Sequence, residues 1–294
     1  MPEWLQRNFL ENFQPNLQFL QLAERSDAPQ GYNQLRWARF TPVAESSITA
    51  GTTSNDGVTP SDTAIAVTTT TVTPTQYRIV FNLADMLLET TPLDLLGETA
   101  REAGRVMAKR IDTEIQAVIA AGTNVIYATG STRTGLGAGD VLTMALINRA
   151  TARMMGNDIP PVDGTYYAAV VHPYAIYDLR SSTAAGSWLD VNKYANPEAV
   201  MTGEVARAYG ARIVVSSHIT TFSSTVTVYP TYVVGRGAFG AGFTQQPQVM
   251  ITPAGASDSD PAAQRRKVAA KCAFGTVILN QNALVRIESA ATTA

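Results

Sequence analysis

The sequence has 294 residues, of which 45% are hydrophobic and only 16% are charged, and its net charge is −2 with the histidines neutral. This composition excludes charge-rich disorder, and the small net charge gives no general attraction to nucleic acid or anionic lipid. A single cysteine, Cys272, excludes an intramolecular disulfide framework and a cysteine-based zinc site. No apolar run reaches the roughly 18 residues of a membrane-spanning helix, so no such helix is predicted.

Lysine is especially rare in this sequence. Only Lys109, Lys193, Lys267 and Lys271 are present, whereas a soluble monomer usually carries more surface charge. One explanation is a weakly charged monomer. The other is that neighbouring molecules cover much of the surface, because the cores of interfaces are depleted of charged residues.

The first 30 residues are too apolar to extend freely into water and are predicted to form a docked arm. Apolar spacings of three and four predict a short helix from Trp4 to Phe13 and a second helix from Leu17 to Glu24. Charged residues interrupt this segment, so it is not expected to be a secretory signal peptide.

A long two-stranded extension is predicted next. Leu35–Phe40 has the pattern of a strand, residues 43–62 are a polar loop, and Ile65–Phe81 alternates like one very long strand of some 50 Å. A two-stranded ribbon is only marginally stable alone in water. We therefore expect it to lie on another subunit.

The clearest predicted helix runs from Thr91 to Ala121. Thr91 is the expected cap, Pro92 fits the first helical position, and Asp94 falls in the first turn, where the helix dipole favours a negative charge. Gly122 is the expected stop. At 1.5 Å per residue the helix would be about 45 Å long, far above the average for globular domains.

Shorter helices and strands alternate in the rest of the chain, which gives an α+β architecture without internal repeats. Helices are predicted over 141–155, from Pro173 onward and over 198–209, and strands over 166–171, 212–216, 226–234, 248–252, 267–280 and 284–288. The glycine-rich run that ends at Gly242 has the composition of a tight turn.

Catalytic and cofactor motifs are absent from the sequence. The two histidines, His172 and His218, belong to no zinc-protease or nucleophile-elbow pattern. The glycine-rich stretch Gly130–Gly139 lacks the lysine of a phosphate-binding loop, so it is interpreted as a flexible connector. We predict no catalytic residue, no metal site and no cofactor.

A basic cluster lies near the C-terminal end, around Arg265, Arg266 and Lys271. These residues either contact phosphate or pair with carboxylates on a neighbouring subunit. Because the stretch has a strand-like pattern, pairing between subunits is the favoured interpretation.

Several motifs follow one another in a fixed order along nearly the whole chain. They are Leu35–Phe40 after Gly31, Gly57–Pro60, Gln76–Tyr77, His172–Pro173 with Asp178–Leu179, Gly203–Val205 through Gly210–Val214, Tyr232–Gly235 with Ala238–Gly240, and Asp260–Pro261 through Asn280 and Leu284–Glu288. In this order they resemble the motifs of the major capsid proteins of tailed bacteriophages, and more narrowly those of the N4-like family.

The resemblance implies a Hong Kong 97-type fold. Residues 1–31 would be an N-terminal arm, 32–80 an extended loop that overlaps a neighbouring subunit, and 81–140 with 247–294 a peripheral domain carrying a spine helix over 91–121. Residues 141–246 would form an axial domain. The implied function is structural: assembly into an icosahedral head around double-stranded DNA, in the virion, after assembly in the host bacterial cytoplasm.

The resemblance also implies partners. The chain would bind itself in hexamers and pentamers, together with a portal and with a scaffold or decoration protein, around non-specifically packaged DNA and without a membrane. The predicted contacts between subunits are Trp4, Phe9, Phe13, Trp37, Phe40, Ile65, Val67, Tyr77, Arg265, Arg266 and Lys271. Some relatives cross-link a lysine of the extended loop, but none lies between Thr41 and Gln76, so non-covalent locking is predicted.

Three alternatives remain at this stage. An encapsulin, a cellular shell of the same fold, would enclose an enzyme cargo and no DNA. A hydrolase using Ser217 and His218 would be a small oligomer with turnover. A phage tail or decoration protein is the third, although the long helix and the extended loop argue against it.

Overall fold

A computed structural model describes residues 6–7, 9–10, 17–26, 33–41, 43, 45–48, 62–92, 94–182, 207–253, 255 and 262–292. Several predicted features lie outside these residues: Trp4, Phe13, the Gly57–Pro60 motif and most of the helix predicted over 198–209. The residues described within Trp4–Phe13 are helical, as predicted.

The described chain is a mixed α+β structure, which confirms the predicted fold class. In chain order its elements are β1 (Glu24–Arg25), β2 (Leu35–Phe40), β3 (Val67–Val72), β4 (Thr75–Ala84), α1 (Asp85–Thr90), α2 (Leu95–Ile119), β5 (Val125–Tyr127), α3 (Met144–Met155), β6 (Tyr167–Val171), α4 (Pro173–Ser181), β7 (Arg207–Ala208), β8 (Ala211–Val215), β9 (Phe222–Ser223), β10 (Thr227–Val234), β11 (Phe239–Thr252), β12 (Arg265–Ile278) and β13 (Leu284–Ser289).

One core lies between the long helix α2 and a four-stranded sheet of order β1-β11-β12-β4. Alternate residues of β12 face the helix, among them the buried Val268, Ala270 and Phe274. The helix contributes a stripe at helical spacing that includes Met107 and Ile111. The opposite face of the sheet is exposed at Val80.

A second core belongs to a larger sheet of order β5-β13-β10-β6-β8-β7, with β9 paired to β10. Helices α3 and α4 pack on it, and strand β6 is buried along its whole length, as expected for a strand covered on both faces. The sheet takes β5 and β13 from outside residues 141–246. Sheet membership therefore does not follow the proposed domain boundaries, which stay a prediction.

The spine helix begins later than predicted, at Leu95 instead of Thr91. Asp94 is the cap, because its carboxylate accepts a hydrogen bond from the Gly97 N–H at 3.1 Å. Thr91 instead closes the short helix α1 by donating its N–H to the Leu87 carbonyl at 3.2 Å. At the other end the helix stops at Ile119, before Gly122.

The single long strand predicted over Ile65–Phe81 is wrong. The chain breaks at Thr73–Pro74 into β3, which pairs with β2, and β4, which pairs with β12. Proline has no N–H to give to a ladder, so a change of partner is favoured there. The extension is therefore the shorter β2–β3 ribbon, while β4 belongs to the body of the molecule.

Two segments predicted as helices are not α-helices where they are described. Leu17–Glu24 forms only a turn at Leu20–Leu22, because Glu24 and Arg25 pair with β11. The end of the helix predicted over 198–209 is strand β7, which turns into β8 through Tyr209 and Gly210. Both turn residues have positive φ, at 47° and 74°, the conformation of a two-residue hairpin turn.

The N-terminal segment is tied to α2 by a buried aspartate. Asp112 is 0% exposed, and its Oδ2 accepts a hydrogen bond from the Gln18 N–H at 3.0 Å. Its other oxygen has no hydrogen-bond partner among the described residues. Burial raises the pKa of Asp112 from 3.8 to about 6, although the backbone N–H groups of residues 18–20 act in the opposite direction.

Replacing Asp112 should flatten the pH dependence of stability. Because the folded-state pKa is raised, Asp112 stabilises the fold most below about pH 4, and this stabilisation is lost as the pH rises through about 6. Across this pH range its effect should lower the free energy of unfolding by about 3 kcal/mol. Urea unfolding at several pH values between 4 and 7 should show this slope in the native chain and its loss in Asp112→Asn. Equal slopes would contradict this role.

Candidate assembly surface

The β2–β3 ribbon has a packed base and an exposed tip. Its antiparallel register places Leu35 opposite Val72 at the base and Phe40 opposite Val67 at the tip. Along β2 the side chains alternate, so that Leu35 and Trp37 are buried while Arg36 and Ala38 are exposed. Among the described residues, the base is therefore the part of the ribbon that packs on the body.

Polar contacts hold β2 to β1 and to the turn before β11. The Trp37 indole Nε1 donates to the Glu24 carbonyl at 3.2 Å. Arg39 donates from Nη2 to the Glu24 carboxylate at 2.6 Å and to the Gly237 carbonyl at 2.8 Å. These bonds fix the angle at which the ribbon leaves the body.

Glycines in β11 make room for the base. A Cβ atom at Gly240 would lie 2.5 Å from the Trp37 indole, and one at Gly242 would lie 1.8 Å from the Ser26 carbonyl oxygen. The glycine-rich run predicted as a tight turn is a turn only up to Ala238; from Phe239 it is a strand. Its glycines form a floor, hereafter the glycine floor (Gly240 and Gly242), on which the base packs.

The tip of the ribbon carries an apolar patch that the described chain leaves uncovered. Phe40 is 76% exposed, Ile65 70% and Val67 55%. Register places Phe40 directly opposite Val67, and Ile65 lies two residues before Val67 in the sequence. We call these three residues the ribbon patch. A cluster of large apolar side chains on a ribbon without a core is typical of a contact surface.

A buried ion cluster connects the two cores, and sequence reasoning missed it. Glu288 is 0% exposed and accepts two hydrogen bonds from Arg133, at 2.6 and 2.7 Å. Arg286 lies 2.8 Å from the same carboxylate and also donates to the Ala120 carbonyl at the end of α2. The Glu288 hydrogen bond is the main cause that raises the pKa of the Arg133 guanidinium.

This cluster corrects the interpretation of Gly130–Gly139 as a flexible connector. Arg133 anchors the segment to β13 because its guanidinium donates two hydrogen bonds to the Glu288 carboxylate. The same guanidinium lies 4.0 Å from the centre of the Phe222 ring. The residues that meet are 155 positions apart. No local pattern could have identified them, because neither has a distinctive neighbourhood in the sequence.

The histidines have structural positions. His172 caps α4, where its Nδ1 accepts a hydrogen bond from the Tyr174 N–H at 3.2 Å, and burial lowers its pKa. The Ser216 hydroxyl accepts from the backbone N–H of His218 at 3.3 Å, a turn contact that activates no nucleophile.

Among the described residues, no group of three or more His, Cys, Asp or Glu could hold a metal ion. Nor is any described helix long and apolar enough to cross a membrane.

Comparison with known proteins identifies the protein family. A family model described as "phage capsid protein" matches residues 66–287. The chain belongs to this family. No curated protein matches the sequence.

Solved structures show the same fold in other capsids. The capsid of cyanophage Pam1 has a TM-score of 0.74 at 14% identity, over 96% of this chain and 93% of the other. The capsid of Ralstonia phage GP4 has a TM-score of 0.70 at 15% identity, over 92% of this chain and 88% of the other. These likenesses confirm the predicted Hong Kong 97-type fold.

The capsid protein has a structural role and is not an enzyme, as its family shows. The same fold occurs in a virus-like particle from Pyrococcus furiosus, with a TM-score of 0.57 at 11% identity over 97% of this chain and 98% of the other. Fold alone therefore does not separate a phage head from another shell. The family match favours the major capsid protein over the encapsulin alternative.

The predicted contact residues fall into different environments in the capsid protein. Phe9 and Trp37 are buried within the chain, and Tyr77 is partly buried beside α2, with Arg110 5.6 Å from its ring centre. Arg266 lies 3.3 Å from Asp85, and Arg265 is exposed. Which residues meet a neighbour stays a prediction; the ribbon patch, Arg265 and Arg266 are exposed, and Lys271 is partly buried.

The glycine floor gives a direct test of how the ribbon is held. Gly242→Ala should destabilise the chain by about 1–3 kcal/mol, because the added methyl meets backbone that cannot rotate away. Gly139→Ala is the matched control, since a Cβ there meets nothing within 4 Å. Urea unfolding of both variants checks this. An unchanged midpoint for Gly242→Ala would show that Ser26 and Leu35 do not approach Gly242 this closely.

Proposed function

We propose that the capsid protein assembles into an icosahedral phage head in which the extended loop of each subunit lies on a neighbour. The observation that carries this proposal is the ribbon patch, with Phe40 76% exposed on a two-stranded ribbon that has no core of its own. Family membership supplies the capsid role. The ribbon patch gives a physical reason for assembly, because its apolar side chains stay exposed to water in the isolated subunit.

The finer organisation follows the same proposal. Residues 1–31 act as the N-terminal arm, 32–80 as the extended loop, 81–140 with 247–294 as the peripheral domain, and 141–246 as the axial domain. Subunits form hexamers and pentamers and assemble in the host cytoplasm, with a portal and with scaffold or decoration proteins. The finished shell encloses double-stranded DNA and holds it without base-specific contacts.

Electron microscopy of the purified chain, with light scattering for mass, tests the proposal. Closed shells tens of nanometres across are the expected result. A uniform particle below a few hundred kilodaltons at every protein and salt concentration, without sheets or tubes, would contradict it. Shells filled with a protein cargo and never with DNA would instead support the encapsulin alternative.

Removing the ribbon patch should block assembly without unfolding the subunit. In Phe40→Ser with Val67→Ser, shells should disappear, because the apolar area that a neighbour would bury is gone. The urea midpoint should change little, since both side chains are more than half exposed. Phe40→Leu keeps an apolar side chain and should still assemble. Normal shells from the double variant would exclude the patch from the interface.

The shell is expected to be locked without covalent links. No lysine lies between Thr41 and Gln76, so the extended loop offers no amine for an isopeptide bond. Mature shells boiled in detergent should run on a denaturing gel at the mass of one chain. A ladder of multiples would show cross-linking by another route and would contradict this expectation.

A further inference from the structure

Two arginines face each other at the edge of the larger sheet. Strand β7 is the last strand of that sheet, and its antiparallel register with β8 places Arg207 directly opposite Arg212. Both residues are exposed. Facing side chains on antiparallel strands have Cβ atoms about 5 Å apart, and like charges at this distance destabilise the pair. The β7–β8 hairpin therefore concentrates two positive charges at a cost in stability.

Neither arginine of the hairpin has an acidic partner. Arg207 and Arg212 form no ion pair with a residue that the structure describes. On the exposed side of α2, by contrast, Arg101 and Arg105 are each paired with the glutamate three residues earlier. The surface of α2 thus neutralises its own charge, whereas the hairpin leaves two guanidinium groups uncompensated.

A cavity of about 350 Å³ opens beside the two arginines. Its lining comes from three parts of the chain, represented by Gln18 and Gln21 of the N-terminal segment, Tyr166 before β6, and Arg212 on β8. The guanidinium of Arg207 lies 4.7 Å from the centre of the Tyr166 ring, so this arginine stands at the margin of the same cavity. The volume falls within the range of small-molecule sites, which is roughly 300–1,000 Å³.

The polar groups around the cavity favour a ligand that accepts hydrogen bonds. The side-chain amides of Gln18 and Gln21 can each donate, as can the guanidinium groups. Asp163 is the acidic residue among the described residues that line the cavity. Its Oδ1 accepts hydrogen bonds from the backbone N–H groups of Tyr166 at 2.7 Å and Thr165 at 3.1 Å, which lower its pKa. The charge of this carboxylate is thereby offset within its own turn.

We propose that Arg207, Arg212 and this cavity form a binding site for a phosphate group. Guanidinium groups bind phosphate with paired, charge-assisted hydrogen bonds, and a phosphate between the two arginines offsets their mutual repulsion. The amides of Gln18 and Gln21 supply further donors for its remaining oxygens. The cavity has room for more than a phosphate alone, which favours a phosphate ester such as a nucleotide unit.

Two sources present this chemistry: a free nucleotide and the backbone of a nucleic acid. In a shell that encloses DNA the backbone is the abundant source, and only this choice of source rests on the proposed function. Contacts to phosphate carry no sequence information directly. The hairpin would therefore hold DNA at any sequence, and the site would recur at every subunit.

Removal of both guanidinium groups tests the site against DNA. Binding of a short labelled duplex by the full chain is measured by fluorescence anisotropy over a range of salt concentrations. In Arg207→Gln with Arg212→Gln, affinity should fall and the slope of log affinity against log salt should become shallower by about 1, since each neutralised phosphate contributes about 0.9. The matched control, Arg101→Gln with Arg105→Gln, removes the same charge from α2 and should leave the slope unchanged.

Calorimetric titration with inorganic phosphate and with adenosine monophosphate separates the two sources. Both probes should bind the native chain and not the Arg207→Gln, Arg212→Gln variant. Loss of this binding with an unchanged DNA slope would support the site and assign it to free nucleotides. The urea midpoint of the variant should not fall, because the substitutions remove a pair of like charges from an exposed hairpin.

Several results would overturn the phosphate site. They are a native chain that binds neither small probe nor DNA, a variant that binds all of them as the native chain does, and a control that loses as much DNA binding as the variant. Loss of shells in the variant with unchanged phosphate binding would assign the arginines to a neighbour's carboxylates instead. A native chain that forms no shells would contradict the proposed function alone, because phosphate binding is measured on the subunit.

Discussion

A two-stranded ribbon cannot bury both of its faces, and this constraint governs the rest of the molecule. Its base packs on the glycine floor, where Trp37 lies against Gly240 without an intervening side chain. Its tip is not covered by the described residues, and Phe40 is 76% exposed. The base thus anchors the ribbon to the body, and the exposed apolar side chains at the tip are available to a neighbouring subunit.

An anchor of this kind works only if the body behind it is rigid. The spine helix and the four-stranded sheet form one core and the larger sheet forms the other, and Arg286, which pairs with the buried Glu288, donates to the Ala120 carbonyl at the end of the spine helix. Breaking such a cluster by removing one partner is costly because a buried charge is left alone.

Part of the fold could be predicted because local sequence patterns determine those helices and strands. Helix α2 and strands β6 and β13 follow from hydrophobic periodicity, which tertiary contacts reinforced. The errors lie where a distant partner decided the conformation. Glu24 and Arg25 became a strand because β11 was beside them, and Pro74 ended one ladder and started another.

The sequence alone determined the family, the fold class and the scarcity of charge, because these depend on composition and on the order of local motifs. It also determined that the extended loop is acidic and lacks lysine. Only the tertiary structure decided which residues form a site. The Arg133–Glu288 pair spans 155 positions, and the outward face of the four-stranded sheet is assembled by register across β11, β12 and β4. Such contacts depend on which strands are neighbours, and pairing between distant segments leaves no local pattern in a single sequence.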